Sequence, residues 1–150
     1  MRDAIYNKIY CCKEYMLIIK DLLLSREVQK MENYFQHGST TCLQHCLLVS
    51  YYSYKVCKFL SLDAKSAARA GLLHDLFLYD WHIDKRFSHS YLHPKIALYN
   101  AKKSFNLNAV ESDMIDKHMF PLAFTKPRYL ETVVILLVDK YCAVVETICR

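Results

Sequence analysis

Glycine and proline are scarce, with two Gly and three Pro in 150 residues. A strand-and-turn architecture needs frequent tight turns, so this shortage disfavours one and favours helices. Long apolar runs are also missing. The most apolar early segment, Tyr15 to Leu24, is interrupted by Lys20-Asp21 and falls short of the roughly 20 residues that span a bilayer. It reads as a packing helix, and no membrane partner is expected. No block of Lys and Arg exceeds two residues, which removes the polybasic signature of nucleic-acid or lipid binding. Seven cysteines are present, but none form a Cys-x-x-Cys pair. That argues against a thiolate zinc finger. An odd number with no secretory signal points to reduced thiols and a cytoplasmic location. Cys42 and Cys46, one helical turn apart, read as buried small hydrophobes rather than ligands. Repeats, low-complexity stretches and linkers are absent as well.

What remains is a helical rhythm with a modest charge. The formal charge of +5 suits anionic substrates without demanding nucleic acid. The length fits one domain over residues 1–150, enough to bury roughly two-thirds of the unfolded surface. Ile5, Ile9, Met16, Ile19 and Leu23 share one helix face across residues 3–24, and Ser25 with Glu27 starts a short helix through about Phe35. His37-Gly38 breaks it. Ser39-Thr40-Thr41 offers caps for a long helix to about Leu60, and Asp63 caps another that ends at His74-Asp75. Residues 78–92 read as an irregular loop of the length that often carries function. Pro94 fits the first turn of a helix through about Phe105, and Asn108 caps one to about Lys117. Pro121 and Pro127 frame a loop before a last helix from about Tyr129 to Thr147. The expected fold is all-α, a helical bundle of about six or seven helices.

Within that bundle the chemistry concentrates in His45, His74, Asp75, His93, His118 and Asp139. Each has an ordinary reading. His45 fits a satisfied core histidine, His74 and His118 fit helix caps, His93-Pro94 fits a helix start, and Asp139 fits a buried ion pair. Together they read differently. Ala67-Ala68-Arg69-Ala70-Gly71-Leu72-Leu73 leads into His74-Asp75, so the pair ends a closely packed helix. Asp139 follows the apolar run Val133 to Val138, where a carboxylate needs a partner and a metal supplies one. Four imidazoles and two carboxylates favour octahedral Fe or Mn, admit Zn, and rank Mg behind.

The segments LLHDLFLYDW and HGSTT, the upstream His45, the KHMFPL segment and Asp139-Lys140-Tyr141 resemble the HD superfamily of metal-dependent phosphohydrolases. The resemblance covers about Gln36 to Val145 and is strongest to small bacterial and phage HD-domain proteins, with the N-terminal helices packing on that core. It implies that His45, His74, Asp75 and Asp139 hold a first metal. Asp75 then bridges to a second metal held by His93 and His118. Two cations so placed imply hydrolysis of a phosphate ester by a metal-activated hydroxide, with His74 and Asp75 at the catalytic centre. Many relatives continue His-Asp-Ile-Gly-Lys where this chain has Leu76-Phe77-Leu78, so their phosphate-holding lysine and their substrates do not transfer.

The expected substrate is a small phosphate ester of the nucleotide or cyclic-nucleotide class. Lys85, Arg86 and Lys117 are the candidate anion contacts, with Lys126 and Arg128 behind them. Tyr79 and Trp81 read either as base-stacking or as core aromatics, and Arg69 is expected to support Asp75 or another carboxylate. His37, His82 and His89 stay open between solvent exposure and the site, either loop histidine being able to replace His93. Two other classes keep the same ligand set: a di-iron oxygenase and a nonenzymatic ligand-binding or interaction domain.

Overall fold

The computed structural model describes residues 2–37, 39–79 and 89–148. The architecture is all-α, as expected, with one small antiparallel hairpin. In chain order the elements are α1 (Arg2–Cys11), α2 (Lys13–Leu23), α3 (Arg26–Gln29) and a 3-10 turn (Lys30–Asn33). The hairpin strands β1 (Phe35–His37) and β2 (Thr40–Thr41) follow, then α4 (Cys42–Phe59) and α5 (Ala64–Leu73). The remaining helices are α6 (His89–Ser104), α7 (Ala109–Lys117) and α8 (Leu130–Ile148). None of these helices is long and apolar enough to cross a membrane.

The eight helices among the described residues exceed the expected six or seven because the first breaks at Cys12. Cys12 leaves helical geometry at φ −78°, ψ 86°, yet its amide still reaches Ile9 O and its carbonyl accepts from Met16 N. The break therefore strands few backbone groups, and no Gly or Pro marks it. The hairpin is likewise a correction to the short helix drawn through Phe35. α6 begins at His89, so residues 89–92 are helical rather than irregular, and Pro94 lies inside the helix.

The caps follow the sequence closely. The Thr41 hydroxyl accepts from Gln44 N while Gln44 Oε1 accepts from Thr41 N, closing both ends of a capping box on α4. Asp63 accepts from Ser66 N at α5, and Asn108 with Glu111 forms a second capping box at α7. These ends fix where each helix points.

The core lies where α4 packs between α5 and α8, with α7 against α5, α6 and α8. Ala67, Ala68 and Ala70 are fully buried, which brings α5 onto α4. At Gly71 the approach is closest, since an added Cβ would stand 2.6 Å from Ser50 Cα. Ser50 Oγ donates to Ala68 O at 2.6 Å and accepts from Tyr15 OH at 2.7 Å, tying α2, α4 and α5 through one buried hydroxyl. Arg69 binds Glu111 at 2.8 Å and Asp21 at 3.0 Å, so the carboxylates it supports, as expected of it, are these and not Asp75, and it links α5 to α7 and α2.

Candidate metal centre

Five helices aim their ends or middles at one buried point. His45 sits in the first turn of α4, placed by the capping box before it. His74 is the residue that ends α5, and Asp75 follows it. His93 comes from α6, His118 ends α7, and Asp139 lies midway along α8. None of the six is more than 7% exposed.

The expected donors meet as two triads. In the first, His45 Nε2 stands 3.1 Å and His74 Nε2 3.6 Å from Asp139 Oδ1. In the second, His93 Nε2 and His118 Nε2 stand 3.3 and 3.5 Å from Asp75 Oδ1, and 2.9 Å from each other. Asp75 joins the two, because its other oxygen, Oδ2, lies 3.4 Å from His74 Nε2. Each triad keeps its donor atoms within 4.8 Å of one another. Donors about 2.1 Å from one cation and a right angle apart stand about 3 Å from each other, so these spacings fit a cation's coordination sphere.

The tautomers fit too. His74 Nδ1 lies 2.8 Å from Gly71 O and His118 Nδ1 lies 2.9 Å from Ile115 O. A carbonyl only accepts, so each Nδ1 carries a proton, and in the neutral imidazole that leaves Nε2 as the atom with a lone pair for a cation. His74 Nε2 and Asp75 Oδ1 are buried and make no hydrogen bond among the described residues. Orphaned buried polar atoms are costly unless something absent from the protein satisfies them.

The buried carboxylates and imidazoles shift one another's titration. Burial alone would raise the carboxyl of Asp75, but His74, His118 and His93 outweigh it and hold it well below the ordinary range. Asp139 is pulled down against burial in the same way by His45 and His74. Burial opposes protonation of His45, yet Asp139 and Glu146 raise it well above an ordinary imidazole. His118 is pushed down by burial, with His74 and His93 adding to that and Asp75 offsetting part.

Two participants had no sequence signal strong enough to single them out. Glu146 Oε2 lies 2.9 Å from His45 Nδ1, so a carboxylate fixes that imidazole from behind. It follows Asp139 by two helical turns, which puts both on the same face of α8. Gln36 donates to Asp75 Oδ2 at 2.6 Å from β1, and its own Oε1 is buried with no partner among the described residues. Only the hairpin brings it there.

The remaining candidates have other partners or lie outside the described residues. Lys117 is buried and paired with Asp113, whose second oxygen accepts from Arg128 N at 2.9 Å and from Thr132 Oγ1 at 2.7 Å. A cavity of about 530 Å³ between α6, α7 and the segment before α8 is lined by Lys102, Lys117 and Arg128, and by none of the six donors. Tyr79 packs against Phe77, with ring centroids 5.0 Å apart. His37 belongs to β1 and His89 opens α6. Trp81, His82, Lys85 and Arg86 lie outside the described residues.

The family model of the HD domain matches residues 42–144, more than two thirds of the chain. The chain belongs to the HD-domain family. The match runs from the start of α4 into α8, so it contains all six donors and leaves Gln36 and Glu146 just outside. No curated protein and no solved structure matches the chain. HD-domain proteins are generally metal-dependent phosphohydrolases that bind divalent cations, and the His and Asp clusters are groups able to hold such ions.

Proposed function

We propose that the protein hydrolyses a small phosphate ester, of the nucleotide or cyclic-nucleotide class, at a two-cation centre. His45, His74 and Asp139 hold one ion, His93 and His118 hold the other, and Asp75 lies between them. The mixed imidazole and carboxylate set favours Fe or Mn. The observation that carries this reading is the pair of orphaned atoms, His74 Nε2 and Asp75 Oδ1, each facing a different triad.

Two cations bound there supply Lewis acidity toward a phosphoryl oxygen and lower the pKa of water. The protein's part is placement. Gly71 O and Ile115 O lock two imidazoles with their lone pairs inward, Glu146 does the same for His45, and Gln36 steadies the carboxylate that serves both triads. Leu72, Leu73 and Leu76, all fully buried, keep the surroundings apolar and so strengthen every charge interaction inside. No protein nucleophile is needed. The thiol of Cys46, 3.7 Å from His74 Nδ1, is pushed well above its ordinary value by burial and the neighbouring Cys42. Lys85 and Arg86, carried on the segment between His74-Asp75 and α6, are the foremost cations for the substrate phosphate. Lys117 ranks behind them because its amine already serves Asp113.

The test is release of phosphate or a nucleotide monophosphate by Mn-loaded protein, without oxygen, across a panel of nucleotides and cyclic nucleotides. Asp75→Asn, which keeps the side-chain size and removes the shared charge, should lower turnover by several orders of magnitude with helical content unchanged. Turnover that demands iron and consumes dioxygen would replace hydrolysis with an oxygenase reaction.

A further inference from the structure

α8 carries apolar residues on its outer as well as its inner side, which departs from the polar outer face of an ordinary surface helix. Its inner side sends Val134, Ile135, Val138 and Cys142 into the core beside Asp139 and Glu146. The outer side is bare. Leu130, Val133, Leu137, Tyr141, Val144 and Ile148 are 41% to 74% exposed and recur at the helical repeat of about 3.6 residues, which draws one stripe along the helix. Of nine exposed positions on α8 seven are apolar, and the others are Thr147 and Lys140, which pairs with Asp139 of its own chain.

The stripe continues onto α4. Tyr141 meets Tyr52 edge-on, with centroids 6.1 Å apart, and α4 goes on to the exposed Val56 and Phe59 one and two turns later. The joint apolar surface is on the order of 800 Å², above the largest patch of an ordinary monomer and equal to one partner's share of a stable interface.

We propose that this α4–α8 face pairs with the same face of a second copy of the chain, with the two α8 helices antiparallel. The area matches one partner's share of a dimer, and the stripe is self-complementary when two copies run antiparallel. Exposed apolar residues mirror one another about Asp139: Leu130 with Ile148, Val133 with Val145, and Leu137 with Tyr141. A two-fold axis there sets Leu130 against the partner's Ile148 and Leu137 against the partner's Tyr141, which is the self-complementarity an isologous interface requires. The pairing also braces the helix that carries Asp139 and Glu146. It does not depend on the chemistry proposed above.

Sedimentation of the whole chain tests it, with a dimer expected at about 100 µM and below. Leu137→Glu should give a monomer of wild-type helicity, whereas Leu17→Glu, at an exposed leucine of α2, should leave the dimer intact. Val133→Thr with Val144→Thr keeps both shapes and should raise the dissociation constant at least about tenfold, which serves even if a buried glutamate prevents folding. A wild-type monomer at about 100 µM, or a dimer whose affinity the threonine pair leaves unchanged, overturns the proposal. So does a monomer that binds neutral lipid vesicles through this face.

Discussion

His74 and His118 each end a helix, and that position does two jobs. The Nδ1 proton satisfies a carbonyl in the last turn, and the same bond turns Nε2 toward the site. The cap and the ligand, which compete as readings of the sequence, are one arrangement. His45 shows why some of the site could not be read in advance. Its partners Asp139 and Glu146 stand 94 and 101 positions away, and Asp139 was legible only because a carboxylate beside an apolar run is conspicuous. Glu146 also follows apolar residues, Val144-Val145, but nothing near it in sequence names its partner. Glu146→Gln keeps an acceptor for Nδ1–H and removes the charge, so metal affinity should fall about 10–100-fold in a chelator competition, with helicity retained. Unchanged affinity would mean that Glu146 only fills space.

At the scale of the helices, boundaries with capping chemistry were readable and those without it were not. Asp63, Asn108 and Thr41 stand where expected because their side chains satisfy the first free amides. The break at Cys12 and the start of α6 at His89 lack such a mark. The alanine run before His74 correctly announced a close helix contact, and Gly71 is its tightest point. Gly71→Ala drives a Cβ to 2.6 Å from the backbone of Ser50, so α4 and α5 must part. The expected loss is about 3 kcal/mol in urea denaturation, and a neutral result would mean that the contact is looser than described. Between α7 and α8, Asp113 gives a pH-dependent tie. Burial would raise its carboxyl, but Lys117, Thr132 and the Arg128 amide together lower it. A lowered carboxyl contributes stability above its unfolded value of about 3.9, and the contribution is lost as the pH falls through the folded value. Asp113→Asn, which leaves Lys117 buried without its charge partner, should therefore cost about 3 kcal/mol near neutrality. That difference should shrink below about pH 4, and a constant difference down to pH 3 would contradict the pairing.

Across the whole molecule, the fold serves to bring distant donors to one place. The six ligand candidates span 95 positions, and only the joint packing of α4, α5, α6, α7 and α8 turns them into two triads that meet where Asp75 approaches His74. The sequence carried the donor types and their order, while the hairpin that delivers Gln36 and the reach of α8 to Glu146 arise from tertiary packing alone. The most direct measurement is metal analysis of protein equilibrated without oxygen against Mn or Fe(II) and then freed of unbound ions. The account predicts about two ions per chain in the wild type and about one in His118→Ala, with both forms equally helical. A wild-type chain that saturates at a single ion, or a His118→Ala variant that retains two, would contradict it.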